Sequence, residues 1–173
     1  MKISSPQNKP EDHIRSLIAE LGNSDGTRRQ QARQELVKFA APAVPALIAT
    51  LSDRNNHVRW EAAKALGRIR HPSAADALSG LLEDEDMDIR WAAAESLVRL
   101  RQEAVVLVLT RLVSNFKSVW LREGTRYVLR QLNIRGYLDD PAKKVLTALD
   151  GPAPEVESPW AAKSALDAIQ REN

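Results

Sequence analysis

The chain has 173 residues, 43% of them hydrophobic and 28% charged, with 25 Lys and Arg against 23 Asp and Glu and a net charge of +2. That length supports one domain with a sizeable core or a short array of repeats, in a composition ordinary for a soluble folded protein. The absence of cysteine excludes disulfides, thiol catalysis and Cys-based zinc or iron–sulfur sites, and a pI of 9.0 is too mild to establish a nucleic-acid partner.

The opening stretch MKISSPQNKPEDH has no apolar run of the kind that directs secretion, so residues 1–9 read as a disordered tail and 10–173 as the folded domain. No run approaches the ~18 apolar residues of a membrane helix. Aromatic residues are scarce at 5%, glycines number 7, and Ala and Leu are plentiful, a mixture that favours helices over strands. The expectation is a soluble, cytoplasmic protein.

In chain order, EDHIRSLIAELG reads as a lone short helix, with Leu17 and Leu21 aligned to Leu47 and Leu51 of a later element. Two segments, LSDRNNHVRWEAAKALGRIRHPSAADAL and LEDEDMDIRWAAAESLVRLRQEAVVLVL, then align at a period of 31. An earlier copy, LGNSDGTRRQQARQELVKFAAPAVPAL, lies 30 residues upstream and puts Ala32 and Leu36 under Ala62 and Leu66. Each period holds a long helix with the Val-Arg-Trp register and a short apolar one such as PAVPALIATL. Pro42 and Pro72 start short helices, where a missing N–H costs little. Asn55 and Asp86 are the expected N-caps of long ones. Downstream, VWLREGTRYVLRQL stays in register after a one-residue insertion, through Leu121, Arg122, Leu129 and Leu132. DPAKKVLTALDG is the last short helix, GPAPEVESP a Pro-rich loop, and SPWAAKSALDAI a final helix over about residues 158–171. Its Trp160, Ala162, Leu166 and Ile169 fall under Trp60, Ala62, Leu66 and Ile69. No strand pattern emerges. The fold class is an all-α, right-handed solenoid of about five helix pairs, incomplete at its ends.

A helix turns about 100° per residue. With Val58 at zero, Ala62, Ala65, Leu66 and Ile69 fall within about 80° and form the core stripe. Ala63 and Gly67, and Ala94 and Val98 one repeat on, make a wall of small residues for the neighbouring repeat. Trp60 falls at about 200° and opens a charged, wet strip. From three repeats this strip assembles His57, Trp60, Glu61, Lys64, Arg68, Asp88, Trp91, Glu95, Arg99, Trp120, Glu123 and Tyr127. Aromatic anchors among charges of both signs are the composition of a protein-binding surface. In the competing reading Trp60 and Trp91 fold over their repeat junctions and cover Gly67 and Val98.

Leu-x-Asp, then Val/Ile-Arg, then Ala-Ala-x-Ala-Leu-Gly-x-Ile at a 31-residue period resembles the short HEAT-like repeats of the phycobilisome-lyase type, well over residues 11–132 and loosely beyond. The resemblance implies a scaffold whose concave groove, lined by positions flanking the Val-Arg pair, binds a protein or peptide. Arg28 in the place of Val58, Pro159 in that of Arg59, and Arg126 and Arg130 in those of Ala63 and Gly67 depart from the pattern, so the first and last repeats should pack less tightly. The resemblance also brings two enzyme-like alternatives, a bilin-lyase subunit and a HEAT-like alkylpurine DNA glycosylase. Trp60, Trp91, Asp88 and Arg99 imitate the glycosylase groove, but the chain is short for that family and Glu61, Glu95 and Asp88 oppose phosphate. Di-iron hydroxylases of similar fold depend on His-Glu pairs that this chain lacks.

Arg29, Arg59, Arg90 and Arg122 recur once per repeat. They form either a ladder for phosphate or a structural one reaching loop carbonyls and aspartates such as Asp53 and Asp84; the strict repetition and the resemblance favour the structural ladder. DEDMD from Asp84 imitates a calcium loop, yet Ile89 stands where that loop needs glycine. His13, His57 and His71 have no metal-ligand spacing, and neither a phosphate-binding glycine loop nor a nucleophile elbow is present. The expectation is a monomeric, non-catalytic scaffold without metal or cofactor, nucleic-acid binding being the alternative.

Overall fold

Residues 10–172 are described by a computed structural model and carry ten α-helices and no strand among them. In order these are α1 (Pro10–Glu20), α2 (Gly26–Phe39), α3 (Val44–Ala49), α4 (Asn56–Ile69), α5 (Ala75–Gly80), α6 (Met87–Leu100), α7 (Gln102–Ser114), α8 (Val119–Ile134), α9 (Asp140–Leu149) and α10 (Pro154–Glu172). Short 3₁₀ turns extend α3 and α5 at both ends, and Pro42 and Pro72 lie in the leading turns. The tail expected at residues 1–9 lies outside the described residues.

The long helices begin where short polar side chains replace missing intrahelical bonds. Asp25, Asn55, Asp86 and Ser118 sit in extended backbone and accept from the N–H groups of Thr27, His57, Asp88 and Leu121. Helices α2, α4, α6 and α8 each end in a turn through positive φ, at Ala40, Arg70, Arg101 and Gly136. Only the last has the residue that adopts this conformation without steric cost.

Helices α2, α4, α6 and α8 pack side by side as one layer, with the shorter helices from α1 to α9 behind them. The core between is chiefly leucine: Leu36, Leu47, Leu66, Leu78, Leu97, Leu109 and Leu129 are fully buried. The small-residue wall lets α4 and α6 approach closely. A Cβ on Gly67 would stand 2.2 Å from Ser96 Oγ and 2.8 Å from Ser96 Cα. Ser96 Oγ donates instead to the Ala63 carbonyl at 2.9 Å.

The arginine ladder is structural. Arg29 donates to the carbonyls of Asn23 and Ser24, Arg59 to those of Asp53 and Arg54, Arg90 to those of Asp84 and Glu85, and Arg122 to that of Phe116. Arg59 also forks onto the Asp84 carboxylate at 2.9 and 3.0 Å, tying one inter-repeat loop to the next.

The C-terminal end departs from the expected pattern. The Pro-rich segment is not wholly a loop, because α10 starts at Pro154 and holds Pro159 inside it. Proline fits a first helical position, and a proline further in removes one N–H. The buried Ser158 hydroxyl adds a bond to the Pro154 carbonyl in the same turn, at 2.5 Å. Helix α10 also leaves the long-helix layer and packs against α7 and α9 instead of α8. Close approach to α8 needs small residues where Arg126 and Arg130 stand, and both arginines reach Asp150. Trp160 therefore does not continue the Trp60–Trp91 column. It is 74% exposed beside Val113, Phe116 and Val156.

Candidate functional site

The outer face of α4, α6 and α8 carries the aromatic strip, but its tryptophans are held differently. Trp60 is half-buried and packed against the core, with Lys64 Nζ 3.8 Å from its ring centroid and the Arg33 guanidinium 5.8 Å from it. Burial holds the Lys64 amine below its usual pKa, and the nearby Arg33 charge adds to the effect. Trp60 thus belongs to a repeat junction as well as to the face.

Trp91 is 56% exposed and packs at a tilt against Tyr127, ring centroids 4.6 Å apart at 51°. Tyr127 is fixed in turn, because its hydroxyl donates to Glu95 Oε1. Burial, reinforced by that bond to the Glu95 carboxylate, pushes the phenol up to about 12. Trp120, 49% exposed, has the Arg90 guanidinium 4.5 Å from its ring. The same guanidinium is anchored to loop carbonyls by the ladder, so the ring rests on a held cation.

These side chains enclose two hollows. One, of about 390 Å³ between α6 and α8, is lined by Met87, Trp91, Trp120, Gly124 and Tyr127, with Arg90, Glu123, Arg126 and Arg130 among its charged residues. The other, of about 470 Å³ between α4 and α6, is lined by Trp60, Lys64, Arg68, Trp91, Glu95 and Arg99. His57 and Asp88 are exposed in the first turns of α4 and α6 and line neither hollow.

Glu61 does not belong to the wet strip. It is only 2% exposed and pairs with Arg33, itself buried, while Arg29 Nε approaches at 3.8 Å. The helix geometry accounts for this, since Glu61 stands at about 300°, which is only about 60° from Val58 and on the side facing α2. Its charge put it in the strip, and its angle puts it in the junction. One signal was available in the repeat alignment: Arg33 occupies the column of Ala63 and Ala94, so a buried charge there requires a partner. Met87, Arg126 and Arg130 were missed as lining residues. They become visible only once α6 and α8 are set side by side, because the hollow lies between these two helices.

Stacked helix pairs sharing a long-helix face define an α-solenoid. The sequence matches HEAT repeats over residues 14–97 and again over residues 66–130, and the chain belongs to the HEAT-repeat family. It is a repeat scaffold, an architecture often used for protein interaction. Among curated proteins, none matches this sequence.

Proposed function

We propose that the protein is a non-catalytic scaffold that holds a protein or peptide along the outer face of α4, α6 and α8, with Trp91 and Trp120 as its anchors. The observation that carries this reading is the pair of half-exposed tryptophans at one 390 Å³ hollow, each supported from beneath, by Tyr127 and by Arg90. A supported ring loses little freedom on binding, and tryptophan is the residue most enriched among interface hot spots. Lys64, Arg68, Asp88, Glu95, Arg99 and Glu123 supply the mixed-charge rim, and His57 extends its polar edge. Trp60 contributes one wall and cements the α2–α4 junction.

The test separates binding from folding. Truncating a central interface tryptophan costs about 2 kcal/mol or more of affinity, whereas losing an exposed side chain changes stability by only about 0.5 kcal/mol. Trp91→Ala with Trp120→Ala should therefore lose partners captured by the wild type while melting at nearly the same temperature. Retention of every partner, or unfolding of the variant, overturns the reading. Sub-micromolar binding to duplex DNA that weakens steeply with salt would transfer the face to nucleic acid.

A further inference from the structure

At the carboxyl ends of α4, α6 and α8 lies a hollow of about 260 Å³ lined by Arg70, Arg99, Arg101, Arg135, Tyr137 and Glu95, together with Val98. Four guanidiniums meet one carboxylate, and that carboxylate already accepts the Tyr127 hydroxyl. All four arginines are exposed. Unlike those of the ladder, none makes a guanidinium hydrogen bond or ion pair among the described residues. Arg101 lies over the Tyr137 ring at 4.6 Å, and its N–H donors have no protein acceptor among the described residues.

Helix ends alone do not account for this cluster. A helix C-terminus favours cations with roughly half a unit of negative charge, so three ends plus Glu95 offset roughly two and a half units against four. Nor does the backbone select arginine. Arg70 and Arg101 occupy the positive-φ turn position that holds Ala40 and Gly136 elsewhere, where a long side chain brings no conformational gain.

We propose that this hollow binds a phosphate monoester carried by the protein partner, so that the scaffold selects a phosphorylated partner. The proposal rests on the scaffold reading for the partner, while the affinity of the hollow for the dianion is a separate property. A phosphomonoester carries about −1.5 to −2 charges and three strong acceptor oxygens, which several planar guanidiniums satisfy by bidentate bonds. Position supports a peptide-borne group. Glu95 and Arg99 line both this hollow and the neighbouring one that contains Trp60 and Trp91, so a chain lying across Trp91 reaches the arginines along a continuous surface. A nucleic-acid strand needs a row of cations, and along this face Asp88, Glu95 and Glu123 interrupt it.

Three measurements test this. Inorganic phosphate should raise the melting temperature above that in chloride of matched ionic strength, and O-phosphoserine should bind where serine does not. Arg99→Gln with Arg135→Gln should weaken phosphoserine binding at least tenfold while the helical circular dichroism spectrum is kept. Should that variant unfold, Arg101→Lys keeps the charge, removes the planar fork, and should also weaken phosphoserine binding. Phosphatase treatment of a lysate should abolish capture by the wild type. Equal melting in the two salts, phosphoserine binding that survives the substitutions, phosphatase-insensitive capture, or an oligonucleotide that outcompetes phosphoserine tenfold at equal phosphate would each overturn the proposal. Loss of capture in the Trp91/Trp120 variant bears on the scaffold reading alone, because that variant retains the arginines and should still bind phosphoserine.

Discussion

Glu61 and Arg33 show how one residue divides between two readings. Both are charged and both are buried at the α2–α4 junction, whereas α4 and α6 meet through Ala63, Gly67 and Ser96. Such a pair contributes little over well-packed apolar residues, but removing one partner strands the other. Glu61→Ala should therefore cost about 3–5 kcal/mol, read as a lower urea midpoint. Replacing both, Glu61→Leu with Arg33→Met, should recover most of that loss. A single substitution costing under about 1 kcal/mol would mean that water reaches the pair. Exposed groups behave otherwise: Trp91 and Trp120 are supported by neighbours without being enclosed, so their removal is expected to be felt in binding.

At the scale of the element, α4 and α6 are specified several times over, by caps, by the core stripe and by the small wall. Gly67 tests which of these is most demanding. Alanine has the better helix propensity by about 1 kcal/mol. Its Cβ, however, would stand 2.2 Å from the Ser96 hydroxyl oxygen and 2.8 Å from the Ser96 backbone. A new rotamer could move the hydroxyl aside, but none moves the backbone. Overpacking of this kind costs about 1–3 kcal/mol, so Gly67→Ala should be destabilised overall despite its propensity. A raised denaturation midpoint would show that α4 and α6 can separate without loss. This close approach was legible in the repeat, because Ala63, Gly67, Ala94 and Val98 recur as small residues on one side of the wheel. The arginine ladder was legible for the same reason, one residue per turn of the solenoid. The placement of Glu61 was not, since a charge at a helix flank reads as wet until a buried counter-charge from another repeat is known.

The molecule as a whole is a nearest-neighbour array that is closed off at one end by a helix of a different habit. In a regular solenoid each repeat contacts only its neighbours. Here α10 packs on both α7 and α9, burying Ser158, Ala162 and Ala165. Deleting residues 152–173 should expose that face, so amide protection should fall in α7 and α9 by tenfold or more, about 1.4 kcal/mol, while α2 to α6 keep theirs. Unchanged protection in α9 would mean that α10 is an ornament and that the array ends at α9. Removing α10 should leave the 390 Å³ hollow intact, because that surface belongs to α6 and α8.

The sequence by itself determined the repeating helices, the caps at Asn55 and Asp86, the core stripe, the period and the family, because each of these depends on local spacing that recurs in register, whereas the start of α10 at Pro154 falls outside that register. It also determined which face carries aromatic and charged residues together. Only the tertiary structure decided which of those residues are available. Trp60 is drawn into a junction by Arg33 of α2, Glu61 is neutralised by α2, and Trp160 is carried to another surface because Arg126 and Arg130 deny α10 its place beside α8. The physical reason is common to all three. Periodicity sets the direction of a side chain from its own helix, but burial depends on what the neighbouring repeat places opposite it.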